Sequence, residues 1–250
     1  MSLSDKEFMR YNRHIMVDKI GEQGQLTFKH AKVAIVGIGG LGCPAAQYLV
    51  ASGIGHLILI DHDHIELSNL QRQILFSTED IGRSKAATAQ KKLQPLNPHC
   101  QITALTQSVF DTELDVLLDD VDLVLDCTDN PNTRQFINQA CVDSGVKLVS
   151  ASAIQGAGQM ISFDFSTPDS PCYQCLFSDV DEQPNNCQTS GVFSPLLGVM
   201  GSLQATEALR LLLGITNNLN KLMLFDAFGM EIRQFKVAKD SQCRCCNLST

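Results

Sequence analysis

An α/β fold built on a doubly wound, mostly parallel sheet, with antiparallel strands and a four-cysteine zinc site at its C-terminal end, follows from three features of the sequence. Short apolar, β-branched runs alternate with helical patterns for about 120 residues, the signature of a parallel sheet wound by crossover helices. The first of these runs ends in a glycine-rich turn, Gly37-Ile38-Gly39-Gly40-Leu41-Gly42. After residue 153 the alternation gives way to hairpin-like runs and two Cys-x-x-Cys pairs. Residues 1–30 read as an N-terminal helical arm, 31–153 as a nucleotide-binding core and 154–250 as the zinc-site part, all within one continuous domain.

Taken in order, Ser4-Asp5-Lys6-Glu7 is a capping-box pattern ahead of Phe8, Met9, Tyr11 and Ile15, which predicts an amphipathic helix bearing Arg10 and Arg13. Lys32–Val36 and His56–Ile60 are buried strands, and residues 40–52 between them a helix. Ser84–Leu93 reads as a helix, halted by Pro95 and Pro98. Gln101–Leu105, Val121–Leu125 and Val146–Ala151 read as further strands. Pro131, at a first helical position, opens a helix to about Ser144. Gln159–Phe165 alternates like an antiparallel strand, Gly191–Leu213 reads as a long buried helix, and Leu222–Phe225 with Glu231–Val237 as a hairpin.

The composition excludes several classes. Hydrophobic residues make up 44% and charged residues 18%, which excludes intrinsic disorder. A net charge of −8 argues against nucleic acid or an anionic membrane as partner. Val33–Ile60 and Gln183–Thr206 lack charged residues, but glycines, prolines and amides interrupt both, so a buried strand–turn–helix and a polar loop entering a buried helix account for them better than membrane spans. The start of the chain is polar and mixed in charge, unlike a secretory signal. Ten cysteines are too few for a disulfide scaffold of this length, so a reducing cytoplasm is expected, where clustered cysteines read as metal ligands or catalytic thiols.

The glycine turn fits G-x-G-x-x-G between a strand and a helix. Glycine lets the backbone approach phosphate, and the helix N-terminus offers free N–H groups. Asp61 ends the next strand, where a carboxylate binds ribose hydroxyls. This predicts a Rossmann-like nucleotide site; the alternative is a tight turn without ligand. Ser68-Asn69-Leu70-Gln71-Arg72-Gln73 and Lys85 follow. Singly these are ordinary surface charge. Together they suit nucleotidyl transfer, where charge builds on the α-phosphate and on departing pyrophosphate. Asp129, just past a strand end, is placed to hold Mg²⁺ or to cap the next helix, a task Asn130 performs equally well.

Cys172-x-x-Cys175 and Cys243-x-x-Cys246 suit tetrahedral zinc that staples the tail to the body; a redox dithiol is the competing account. Cys245 is a surplus neighbour. Cys43, Cys100, Cys127 and Cys141 sit in apolar or helical contexts and read as packing residues. Cys187 lies in a polar loop before a long helix, where a thiol is accessible and a nearby helix N-terminus would lower its pKa; the alternative is an incidental exposed cysteine.

Together these residues resemble the ThiF/MoeB/HesA family, prokaryotic relatives of ubiquitin-activating enzymes. The likeness runs from Met9-Arg10-Tyr11-Asn12-Arg13 to the terminal cysteines, through Gly37–Gly42, Ser68–Gln73, Asp126–Asn130, the Cys-Tyr-x-Cys pair and Gly198–Glu207. It implies an enzyme that uses ATP and Mg²⁺ to adenylate the C-terminal glycine of a small ubiquitin-like sulfur-carrier protein ending in Gly-Gly, with residues 154–250 as the carrier-binding part. By the resemblance, Gly37, Gly39, Gly40, Gly42 and Asp61 hold adenosine, with Asp63, Gln73 and Asn130 in the same nucleotide site. Asn69, Arg72 and Lys85 contact phosphates, Asp129 binds Mg²⁺, and Arg13 reaches the site of the other protomer of a homodimer. Cys172, Cys175, Cys243 and Cys246 hold Zn²⁺. The stretch Ile74–Ile81 and Asn186-Cys187 look most like the thiamine-pathway member, in which the cysteine matching Cys187 links covalently to the carrier. Two departures stand out: the last pair lies in Cys-Arg-Cys-Cys, and no rhodanese domain follows, so a separate persulfide donor is implied.

The chemistry agrees. A carrier carboxylate is its own nucleophile on the α-phosphate, so the enzyme needs orientation and charge stabilisation and no strong base. None of the six histidines has catalytic or metal-binding spacing. The molybdopterin-synthase counterpart, an NAD-dependent oxidoreductase with structural zinc, and a nucleotide-binding interaction module remain as alternatives.

Overall fold

The computed structural model describes residues 2–177 and 190–247. One eight-stranded sheet runs in the order β3-β2-β1-β4-β5-β6-β7-β8. Its parallel part is β1 (Lys32–Val36), β2 (His56–Ile60), β3 (Gln101–Leu105), β4 (Leu123–Asp126) and β5 (Lys147–Ile154). β6 (Ala157–Phe163), β7 (Lys221–Asp226) and β8 (Glu231–Lys236) continue it antiparallel. Order reverses between β1, which neighbours β2, and β4, so the crevice outside their C-terminal ends is the switch point where open α/β sheets bind ligands.

Period-two alternation divides the core. Val33 and Ile35 of β1 join one apolar cluster, Ala34 and Val36 another on the opposite face. The first face is covered by α2 (Gly21–His30), α3 (Gly42–Ser52), α4 (Lys85–Leu93) and the long α8 (Ser194–Leu212), the second by α5 (Leu114–Leu118), α6 (Pro131–Ser144) and the short α7 (Tyr173–Leu176). Burial on both sides is why the parallel strands read as continuous apolar runs. α1 (Asp5–Ile15) starts at the Ser4–Glu7 capping box and packs on α2.

Several boundaries differ from the sequence expectation, each for a physical reason. β5 runs to Ile154, past the expected Ala151, because it pairs with β6 in a hairpin from Leu148↔Phe163 to Ile154↔Ala157. β4 starts at Leu123, two residues late, because Asp122 is turned to accept the Lys32 N–H at 2.8 Å. α8 opens at Ser194 with Pro195 in its first turn, three residues inside the expected Gly191. Two helices were not legible. In α2, Gly24 allows close approach of Leu213, and buried Gln25 donates to the Ser52 carbonyl at 2.8 Å. α5 is a single short turn. Among the described residues no helix is long and apolar enough to cross a membrane.

Candidate active site and metal centre

The glycine turn closes β1 onto α3 by contacts that only glycine permits. Gly37 has φ +90°, and a Cβ there would lie 2.9 Å from the Cys127 carbonyl oxygen. A Cβ on Gly42 would lie 2.0 Å from the Gly37 oxygen, and one on Gly40 2.6 Å from Leu197 of α8. Gly39 differs: the nearest atom to a Cβ there is Gln73 Nε2 at 3.5 Å, so this glycine faces open space beside the Gln73 amide. Gln73 is buried, and its Oε1 has no hydrogen-bond partner among the described residues. An unpaired buried acceptor costs about 1–3 kcal/mol unless a donor completes it, so this arrangement fits a ligand that brings a hydrogen-bond donor, such as a hydroxyl, to the glycine turn.

A chain of polar contacts leads from the turn to Lys85. The Ile38 N–H donates to Asp61 Oδ2 at 2.6 Å, and the Asp63 N–H donates to Asp61 Oδ1 at 2.8 Å. Lys85 Nζ donates to Asp63 Oδ2 at 2.8 Å while its backbone N–H donates to the Asp63 carbonyl at 2.9 Å. Lys85 is 7% exposed, so a buried ammonium is held at the start of α4 close to the glycine turn. Burial raises the Asp61 carboxyl above its ordinary value, an effect that outweighs the Lys85 charge and the two amide hydrogen bonds. Asp63 moves the other way: burial opposes ionisation, but the Lys85 hydrogen bond and charge win and lower it.

The 3₁₀ turn Leu67–Asn69 and the residues just after it supply the amide and guanidinium groups. Asn69 is buried and its Oδ1 accepts the Glu66 N–H at 3.2 Å; Arg72 Nη1 donates to the Ser68 carbonyl at 2.8 Å. Past β4, the chain turns through Cys127-Thr128-Asp129-Asn130 into α6. Asn130 is the N-cap, its Oδ1 accepting from the N–H groups of Asn132 at 2.9 Å and Thr133 at 3.2 Å. The cap is therefore Asn130's, and Asp129, three residues past the end of β4, is left exposed. Arg134, which sequence reasoning did not single out, is buried below this turn and bonds Asp126 and Ser150. Its partners lie on β4 and β5, a proximity no local pattern announces.

Arg13 does not join this group. It is exposed in the last turn of α1, with Nη1 3.9 Å from Met16 Sδ. Tyr11 of the same helix packs at Gly53, the C-terminal end of the 11-residue α3, and accepts from Asn97 at 2.8 Å. At 1.5 Å rise per residue that end of α3 is about 16 Å from its glycine-turn end. Cys187 lies outside the described residues.

Cys172, Cys175, Cys243 and Cys246 converge, their four sulfurs all within 4.8 Å of one another. Three of the separations are 3.9 Å (Cys172–Cys175), 3.6 Å (Cys172–Cys243) and 3.4 Å (Cys175–Cys246). Zn–S bonds of about 2.3 Å put the corners of a tetrahedron about 3.8 Å apart, so the sulfurs fit Zn²⁺; none of the four is in a disulfide. Cys245 is outside the set and accepts from Asn138 Nδ2 at 3.1 Å. Cys43, Cys100, Cys127 and Cys141 are buried; burial pushes Cys43 and Cys100 up to about 12 and Cys127 and Cys141 higher still, so they are inert packing residues.

Comparison with known proteins agrees with this geometry. A sulfur carrier protein ThiS adenylyltransferase of Escherichia coli (strain K12) is 46% identical over 246 residues, covering 98% of this chain and 97% of that protein. A molybdopterin-synthase adenylyltransferase of the same organism is 42% identical over 245 residues, covering 98% of each. Among solved structures, E. coli MccB crystallised with ATP superposes with a TM-score of 0.80 at 24% identity, over 95% of this chain and 73% of that one, a likeness of fold. The ThiF family model matches residues 11–245, and this chain belongs to the ThiF family.

Proposed function

We propose that this protein uses ATP and Mg²⁺ to adenylate the C-terminal glycine of a small ubiquitin-like sulfur-carrier protein of the ThiS type, activating it for thiocarboxylate formation in the thiazole branch of thiamine biosynthesis. One observation carries the reading: the buried Lys85 ammonium is tied through Asp63 and Asp61 to the glycine turn itself. A charge stabiliser for a departing phosphate group belongs there, and a hydride-transfer site has no use for it. Full-length similarity to a ThiS adenylyltransferase supports it.

The carrier's terminal carboxylate oxygen attacks the α-phosphorus of ATP, the bond to the bridging oxygen breaks, and pyrophosphate leaves with that electron pair. The product is an acyl adenylate. Gly39 and the donating Gln73 Nε2 receive the phosphate chain, while Lys85, Arg72 and Asn69 face the charge that develops on it. Asp61, with both oxygens already taking N–H groups, still has lone pairs for ribose hydroxyls. Mg²⁺, when bound at Asp129, neutralises phosphate charge. Zn²⁺ on four thiolates leaves no position open for water, so its role is to join the tail to α7. Arg13, far from its own glycine turn, serves the partner subunit of a homodimer. Sulfur comes from a separate persulfide donor, and Cys187 is the thiol assigned to its transfer. A compartment with reduced thiols, the cytoplasm, suits these roles.

Incubated with ATP, Mg²⁺ and the ThiS carrier of the E. coli relative, the protein should yield carrier bearing one AMP by mass spectrometry of the acid-quenched mixture. An unmodified carrier in the presence of active MgATP binding would contradict the reading.

A further inference from the structure

Arg134 is 5% exposed and sits in the first turns of α6, and both of its terminal nitrogens are engaged. Nη1 donates to Asp126 Oδ2 at 3.1 Å and to Ser150 Oγ at 2.9 Å. Nη2 donates to the Ala151 carbonyl at 2.8 Å and to the Thr128 carbonyl. One planar fork therefore joins the end of β4 and the middle of β5 to the turn that carries Asp129.

Asp126 completes the device. Its Oδ2 also accepts from Ser150 Oγ at 2.6 Å. Its other oxygen folds the turn, accepting the Thr128 N–H at 3.0 Å and the Thr128 hydroxyl at 2.7 Å. Gln204 of α8 grips the same place, donating to the Asp126 carbonyl at 2.9 Å and accepting from Cys127 Sγ at 3.3 Å. The turn also backs the glycine loop, because the Cys127 carbonyl is the atom a Cβ on Gly37 would strike. A buried ion pair with every oxygen and both terminal nitrogens bonded is poor evidence of added stability, since apolar replacements often do as well. It does fix the path of a short turn to within a narrow range, and that turn ends at Asp129.

We propose that Arg134 is a positioning residue for adenylation: its guanidinium sets the Cys127–Asn130 turn, and with it the Asp129 carboxylate, without touching the nucleotide. The inference rests on the adenylation reading and on Asp129 as the metal-holding carboxylate. Misplacing a catalytic group by about 1 Å can cost 10²-fold, so the effect falls on turnover and on metal use more than on ATP affinity.

The test uses Arg134→Lys, which keeps the charge and loses the fork. Ser150→Ala, which removes one partner, is the second variant should the first fail to fold. Ile137→Val, at a fully buried apolar position on the same helix, is a control for plain destabilisation. Two quantities are read: Mn²⁺ affinity of the protein–ATP complex by electron paramagnetic resonance, without carrier, and ATP–pyrophosphate exchange against Mg²⁺ concentration with the E. coli ThiS carrier. Arg134→Lys should weaken Mn²⁺ binding and raise the Mg²⁺ requirement by about tenfold, and lower kcat by about 10–10²-fold, with KM for ATP changed less than about threefold. Ser150→Ala should shift the same quantities in the same direction by less. Ile137→Val should lower the thermal midpoint and leave both metal measures alone. Wild-type metal dependence in a folded Arg134→Lys or Ser150→Ala protein, beside an active wild type, overturns the inference and leaves the adenylation reading standing. A wild type that shows no exchange overturns that reading first.

Discussion

Lys85 illustrates how little a residue's identity says about its role and how much its partners say. In sequence it is one of 19 cations on an acidic protein. In the fold its ammonium and its backbone N–H both bond Asp63, and the chain of contacts ends at the Ile38 N–H of the glycine turn. Lys85→Ala and Arg72→Ala should each lower carrier-dependent ATP–pyrophosphate exchange by about 10²–10³, the scale for losing one preorganised charge-stabilising group. Undiminished exchange in both would remove them from the chemistry. The glycines and Lys85 were legible because each carries a local signal, a turn or a charge just inside a helix. The choice between Asp129 and Asn130 was not, since either caps a helix; the structure gives the cap to Asn130. Arg134 was invisible because its acceptors come from two strands that meet it only in the folded chain.

At the scale of elements, local pattern sufficed wherever caps and breakers agreed with hydrophobicity. α4 starts at Ser84, α6 at Asn130 and Pro131, and α3 and α6 stop at the left-handed glycines Gly53 and Gly145. α2 failed that test because its stability is tertiary: two glycines and few apolar residues make a weak helix that Phe28 and Gln25 bury against the body. The arm is tied to α2 by Glu7, which bonds Lys29 Nζ at 2.9 Å and closes the capping box with Ser4. Although burial opposes ionisation, the Lys29 and Ser4 hydrogen bonds hold the Glu7 carboxyl down at about 2. Its folded-state pKa is thus depressed, so its contribution is whole above the unfolded value near 4.3 and is lost as pH falls toward about 2. Glu7→Gln should lower the thermal midpoint at pH 7 and flatten its decline across that window, as calorimetry at stepped pH will show; an unchanged slope would mean Glu7 does not tie the arm. The four-cysteine cluster belongs to the same scale. One Zn²⁺ per chain should be found, and chelation should lower thermal stability more than it slows exchange in the protein that remains folded. A metal-free preparation with a Cys172–Cys175 disulfide and normal stability would contradict a structural site.

For the whole molecule, the sheet sets the N-terminal arm and the crevice apart. The glycine turn and Asp129 lie at the C-terminal ends of β1 and β4, whereas α1 packs at the far end of α3. If Arg13 completes the partner's site, mixing Arg13→Ala with Asp129→Ala subunits restores activity, because one site of each hybrid keeps both residues. No recovery after demonstrated subunit exchange would place Arg13 outside the chemistry. Carrier choice is also a property of the whole: 46% and 42% identity to two adenylyltransferases of different carriers separate the readings only narrowly. The most direct measurement is ATP–pyrophosphate exchange in the presence of Mg²⁺, run in parallel with the ThiS carrier and the molybdopterin-synthase carrier of E. coli. The account predicts exchange that depends on carrier and metal, with a higher kcat/KM for ThiS. Equal or greater kcat/KM for the molybdopterin-synthase carrier would contradict the thiamine assignment, and no exchange with either would contradict adenylation itself.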